Sequence, residues 1–154
     1  MKLDDVSWHL RSHEEYVGEF EAKGLQDEDA IRRRVEMLAA AHMGMFLTWC
    51  VDRDLIGAEL GRDLADELRA VKERRSAGAE VILDRMDGKL DVRDLNAEAG
   101  RFAAVGYQDY LGAWSDLMNE VWSREGCIEN SWPNYERVQG WLDARYQAWR
   151  KASG

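Results

Sequence analysis

Three histidines and two cysteines are the side chains here with chemistry beyond charge pairing. His9 and His13 stand four residues apart in "HLRSH", a spacing that puts two imidazoles on one helical face. Zinc would need further ligands. Leu10 follows the first histidine where a metalloprotease helix carries glutamate, and no Cys/His cluster supplies the rest. His42 sits inside "AAAHMGMFLTWC", residues 39–50, as its one strongly polar side chain. A hydrolase would need a nucleophile and an orienting acid beside it. No G-x-S-x-G is present, and Cys127 in "GCIEN" has no recognisable nucleophile context. Cys50 and Cys127 do not make a disulfide framework. The sequence therefore predicts no catalytic, metal or cofactor site. It predicts a buried His42 hydrogen-bonded to a carboxylate or carbonyl.

The stretch "DRMDGKLDVRDL", residues 84–95, imitates the second half of a calcium loop. Gly88 would be the sharp-turn glycine, Leu90 the apolar eighth residue and Asp94 the twelfth. Counting back puts Leu83 and Arg85 at the first and third positions, where calcium requires oxygen ligands. The site fails, leaving a turn with Asp91 as a helix cap.

The elements that hold these residues read as helices nearly throughout. Ser12-His13-Glu14-Glu15 has the form of a helix start, with Tyr16 and Phe20 on one edge and an end near Gly24. A second helix starts near Asp27 and ends near Asp52–Asp54. Its stripe is Val35, Leu38, His42, Met45, Phe46 and Trp49, with Met43, Leu47 and Val51 opposite. A helix apolar all round belongs at the centre of a bundle. Gly44 is costly inside a helix, so a close neighbour over it is expected. His42, Gly44, Phe46 and Trp49 are thus predicted core residues. A third helix covers about 58–76 and is broken by Gly78; a short one covers 79–86. A long one runs from about Asp91 to Met118, and the last begins near Ser131–Pro133. The expected fold is all-α, a single domain over 1–154 with five to seven helices around the central 35–52 helix. Residues 1–30 form an acidic N-terminal segment, and a short extended piece is allowed for near 119–130.

Hydrophobic residues make up 45% of the chain and charged residues 33%, as in ordinary globular domains. No apolar run is long enough to span a bilayer, and "MKLDDVSWHL" lacks a signal peptide's apolar segment; we expect a cytoplasmic protein. The net charge is −9, and residues 1–30 carry nine acids against three bases, or −6. That field excludes nucleic acid as the natural partner and favours a basic protein. Trp8, Trp122 and Trp132 sit in loop-like contexts, where tryptophan either seals the bundle or anchors a partner.

Several segments together resemble a known family. "DDVSWH" (4–9), "AAHMGMFLTWCVDRDLIG" (40–57), residues 63–103 around "DGKLDVRDLNAEAGRFA", and "SWPNYERVQGWLDARYQAWRK" (131–151) are similar to small uncharacterised bacterial proteins. Those proteins carry an S-W-H, an A/T-H-x-G-M-F-L-x-W helix, a D-G-K-L block and a W-x-x-Y tail. Residues 12–36 and 119–130 depart from the pattern. The resemblance implies a context: families of this kind often stand beside polymorphic toxins as immunity proteins. We therefore expect an immunity (antitoxin-like) protein that occludes a cognate toxin domain without chemistry of its own. Its contact region is expected at Asp4, Asp5, Trp8, Glu14, Glu15, Glu19, Glu21, Asp27, Glu28 and Asp29. The alternatives are a small enzyme using His42 with His9 or His13 and a carboxylate, and a structural or regulatory module that forms a homo-oligomer.

Overall fold

The computed structural model describes residues 1–14, 16–125 and 130–153. The fold is mostly helical, with one two-stranded sheet. Strand β1 (Lys2–Asp5) leads through a 3-10 turn (Val6–Trp8) into α1 (Leu10–His13) and α2 (Tyr16–Ala22). Then come α3 (Glu28–Ala39), α4 (Ala41–Asp52), α5 (Ala58–Asp63), α6 (Ala65–Lys72) and α7 (Gly78–Arg85). Strand β2 (Lys89–Asp91) and a 3-10 turn (Val92–Asp94) precede α8 (Ala97–Glu125) and α9 (Trp132–Ser153). No described helix is long and apolar enough to cross a membrane.

Helix α4 is the centre. Ala41 through Val51 are all buried, and the main core gathers α4, α7, α8, α9 and both strands around it. Tyr110 on α8 donates to the His42 carbonyl at 2.6 Å, and Phe46 packs against the Tyr107 and Tyr110 rings. Trp49 Nε1 donates to Asp143 of α9, which also takes a forked pair of bonds from Arg53. The expected neighbour over Gly44 is α7. A Cβ at Gly44 would stand 2.6 Å from Ala79 Cα and 2.8 Å from Gly78 C, so the two helices cross backbone to backbone.

Four expectations need correction. The helix expected over 27–52 is two helices, parted at Ala40 with φ −93° and ψ −1°. No glycine or proline forces that break. The two halves serve different cores: Ile31, Val35 and Leu38 close with Phe20 into a separate cluster, whereas α4 fills the main one. The helix expected over 58–76 is parted at Leu64 and stops at Lys72. Gly78 does not break it but opens α7, where its missing side chain admits Gly44. Residues 120–125, read as loop or extended, continue α8, because nothing between Met118 and Gly126 interrupts a helix. The remainder of that stretch, 126–129 with Cys127, lies outside the described residues. The two strands were not anticipated. The turn Asp87–Gly88 (φ +56° and +70°) returns the chain so that β2 pairs antiparallel with β1. Asp91 does act as a cap, of the 3-10 turn, in a reciprocal box with Asp94; Asn96 caps α8 by accepting from Ala99 N–H.

Candidate functional site

The sheet explains why an acidic segment ends up inside. Lys2 pairs with Asp91 and Asp4 with Leu90, so Leu3 is one residue too many on β1. Such a bulge breaks strict alternation and re-aims a side chain. Leu3 and Asp4 are both buried as a result, Asp4 completely. Its carboxylate meets four donors. Asp5 N–H and His9 Nε2–H reach Oδ1 at 2.8 and 2.6 Å. His42 Nε2–H and the Tyr107 hydroxyl reach Oδ2, both at 2.8 Å. A carboxylate only accepts, so both imidazoles carry their proton on Nε2. The two Nε2 atoms stand 3.2 Å apart, the rings meet edge to face, and Trp114 lies against His42.

Three separate pieces of chain build this centre. The bulge supplies Asp4. The 3-10 turn, capped by the Asp5 side chain on Ser7 N–H, brings His9 back over the strand. Helix α4 supplies His42, and α8 backs it with Tyr107. Burial alone would raise the Asp4 pKa, but the hydrogen bonds from His42, His9 and Tyr107 outweigh it and hold the carboxyl well below the usual range. Burial lowers the His42 pKa against the pull of Asp4, and pushes the Tyr107 hydroxyl well up. The His42 side chain is 4% exposed and Asp4 1%, but His9 is 25% exposed and forms the centre's outer edge. His13 does not join. It lies one turn beyond, with Nδ1 on the His9 carbonyl at 2.8 Å.

The sequence thus found His42 and its carboxylate partner as a type, but placed Asp4 on the surface. Asp5 is also buried, with its carboxylate on Ser7 and Lys2. Neither offers its charge to a docking protein. The signal that was available is "DDVSWH": a carboxylate and an imidazole five residues apart beside a strand-forming Leu3. Tyr107 had no signal beyond its place on a core stripe. His42, Gly44, Phe46 and Trp49 are buried.

The other expected contact residues lie elsewhere. Trp8 is 60% exposed, with the Lys2 ammonium over its ring. Asp27 caps α3, and Glu28 and Asp29 fill its exposed first turn. Glu14, Glu21 and Glu28 line a groove of about 430 Å³ between α1, α2 and α3. Leu10, Val17, Ile31 and Val35 supply its apolar lining; Glu36 adds a fourth carboxylate and Arg32 one guanidinium. The Glu19 side chain and Glu15 are outside the described residues. Of the other tryptophans, Trp114, Trp132, Trp141 and Trp149 are half-buried against the core; the Trp122 side chain is not described.

Neither curated proteins nor solved structures contain a match to this chain. One family model does match, over residues 2–128, a span that includes Asp4, His9, His42 and Tyr107. On that match the chain belongs to the family described as a domain of unknown function, DUF7832.

Proposed function

We propose that the chain is a binding protein for a basic partner, an immunity-type inhibitor that occludes a cognate bacterial toxin domain through its N-terminal helices. One observation carries the reading: four carboxylates against one guanidinium surround the apolar groove of α1–α3. Such a groove suits a partner segment that offers lysine or arginine around a few apolar side chains, with charge setting encounter rate and register. Trp8, two residues before Leu10 of the groove, is an exposed aromatic of the kind that anchors interfaces. The groove keeps Glu14, Glu21 and Glu28 of the expected contact region and adds Glu36.

The test is co-expression with the product of the neighbouring gene. The expected result is a complex that protects the host and weakens with salt. Glu14→Lys, Glu21→Lys and Glu28→Lys together should lower its affinity at least tenfold. An active neighbouring toxin that the chain neither binds nor blocks overturns the proposal.

The meeting of His9 and His42 at Asp4 favours a second reading, a small enzyme. Against that reading, the His42 side chain is only 4% exposed and Asp4 1%, which leaves His9 as the edge that meets solvent. Loss of a biological activity in His9→Ala with the partner complex intact would select it.

A further inference from the structure

We infer that Asp4, His9 and His42 form a binding site for one divalent transition-metal ion, with zinc the best-fitting occupant. The N-terminal segment delivers the Asp4 carboxylate and, five residues on, the His9 imidazole, and α4 brings His42 to them from 38 residues away. His9 Nε2 lies 2.6 Å from Asp4 Oδ1, His42 Nε2 lies 2.8 Å from Asp4 Oδ2 and the two nitrogens stand 3.2 Å apart, so the carboxylate would chelate through both oxygens. Metal bonds of about 2.0–2.2 Å put neighbouring ligand atoms roughly 2.9–3.4 Å apart at octahedral to tetrahedral angles. Of these contacts, the 2.6 Å one between His9 and Asp4 must lengthen by a few tenths of an ångström to admit the ion.

The chemistry agrees with the spacing. Nitrogen and carboxylate donors suit zinc and its first-row neighbours, not calcium or magnesium, which take oxygen alone. An ion would take the place of the two Nε2 protons now pointing at one buried carboxylate. Each imidazole would carry its proton on Nδ1 instead and turn from donor to ligand through Nε2, and the ion would compensate the Asp4 charge. The outer contacts are already in place. The Tyr107 hydroxyl and Asp5 N–H hold the two carboxylate oxygens, and Tyr110 holds the His42 backbone. Such groups orient ligands and tune the metal. Three protein ligands leave coordination positions for water, on the side where His9 meets solvent. The inference stands apart from the proposed groove and uses none of its residues.

The experiment uses the full chain, tag removed and stripped with chelator, titrated calorimetrically with Zn²⁺ and Co²⁺. The expected result is one ion per chain at micromolar affinity or tighter, with Co²⁺ gaining visible absorption. His9→Ala should weaken binding at least tenfold and abolish the rise in Tm on adding Zn²⁺. His13→Ala, one turn away, should keep both. Absorption-edge spectroscopy of zinc-loaded wild-type protein needs no variant to fold; it should give two imidazoles plus oxygen. Wild-type binding no tighter than His9→Ala, equal loss in His13→Ala, or a zinc shell without imidazole each overturns the inference.

Discussion

Asp4→Asn is the most informative single change in this molecule. It swaps one carboxylate oxygen for an amide nitrogen and leaves volume nearly unchanged, so no cavity forms. The carboxylate accepts four hydrogen bonds, two at each oxygen. An amide accepts at one oxygen only, and its nitrogen brings hydrogens to where two donors already converge. Either His42 and Tyr107 or Asp5 N–H and His9 must lose their acceptor. Hydrogen bonds to a charged group contribute about 1.5–3 kcal/mol each, so two lost bonds cost roughly 3–6 kcal/mol. Domains of this size hold only about 5–15 kcal/mol in total. The assay is urea unfolding at pH 7.5, followed by tryptophan fluorescence, on metal-free protein. With a urea slope of about 2 kcal/mol/M, the midpoint should fall by roughly 1.5–3 M. Tyr107→Phe, which removes a single donor, should fall by about half as much. A loss below about 1 kcal/mol in Asp4→Asn would refute the argument, because a four-donor buried carboxylate cannot be replaced that cheaply.

Gly44→Ala should cost about 2 kcal/mol or more in the same assay. Overpacking against the Ala79 and Gly78 backbone exceeds the roughly 1 kcal/mol gained in helix propensity. Trp8→Ala should change stability by no more than about 0.5 kcal/mol, since that ring is largely exposed, whereas Trp49→Ala should cost about 3–5 kcal/mol. Burial raises the Asp143 pKa, but the bonds from Arg53 and Trp49 more than offset this and depress it. Its contribution is therefore complete above the ordinary carboxylate value and is lost as pH falls through the depressed one. Unfolding measured between about pH 4 and pH 2 should show a shallower loss in Asp143→Asn than in wild type. Cys50 is fully buried and its thiol is pushed up by that burial, so it should react with a thiol reagent only as fast as the protein unfolds.

The helical character of this chain is written in its periodicity, and so is its centre. An apolar stretch with no polar face has nowhere to go but the middle of a bundle, and Gly44 within it announces a close crossing. The spacing of Tyr135, Val138, Leu142, Tyr146 and Trp149 likewise determined α9 by itself. Where helices stop was less legible. Ala40 carries no breaker, and the chain parts there because α3 and α4 fill different cores; the break at Leu64 parts two helices that pack on the same core, and no residue type there signals it. The candidate site was legible only in pieces. Local sequence identified His42 as a histidine needing an acceptor, and "DDVSWH" as acidic. Acidity read from sequence means exposure, because an unpaired buried carboxylate is expensive. Tertiary structure reversed that reading for Asp4. A strand of three residues, Lys89–Asp91, pairs with β1, a one-residue bulge turns the carboxylate inward, and His9, His42 and Tyr107 supply the donors that make its burial tolerable. Composition could count those four groups. Only long-range pairing could bring them to one point.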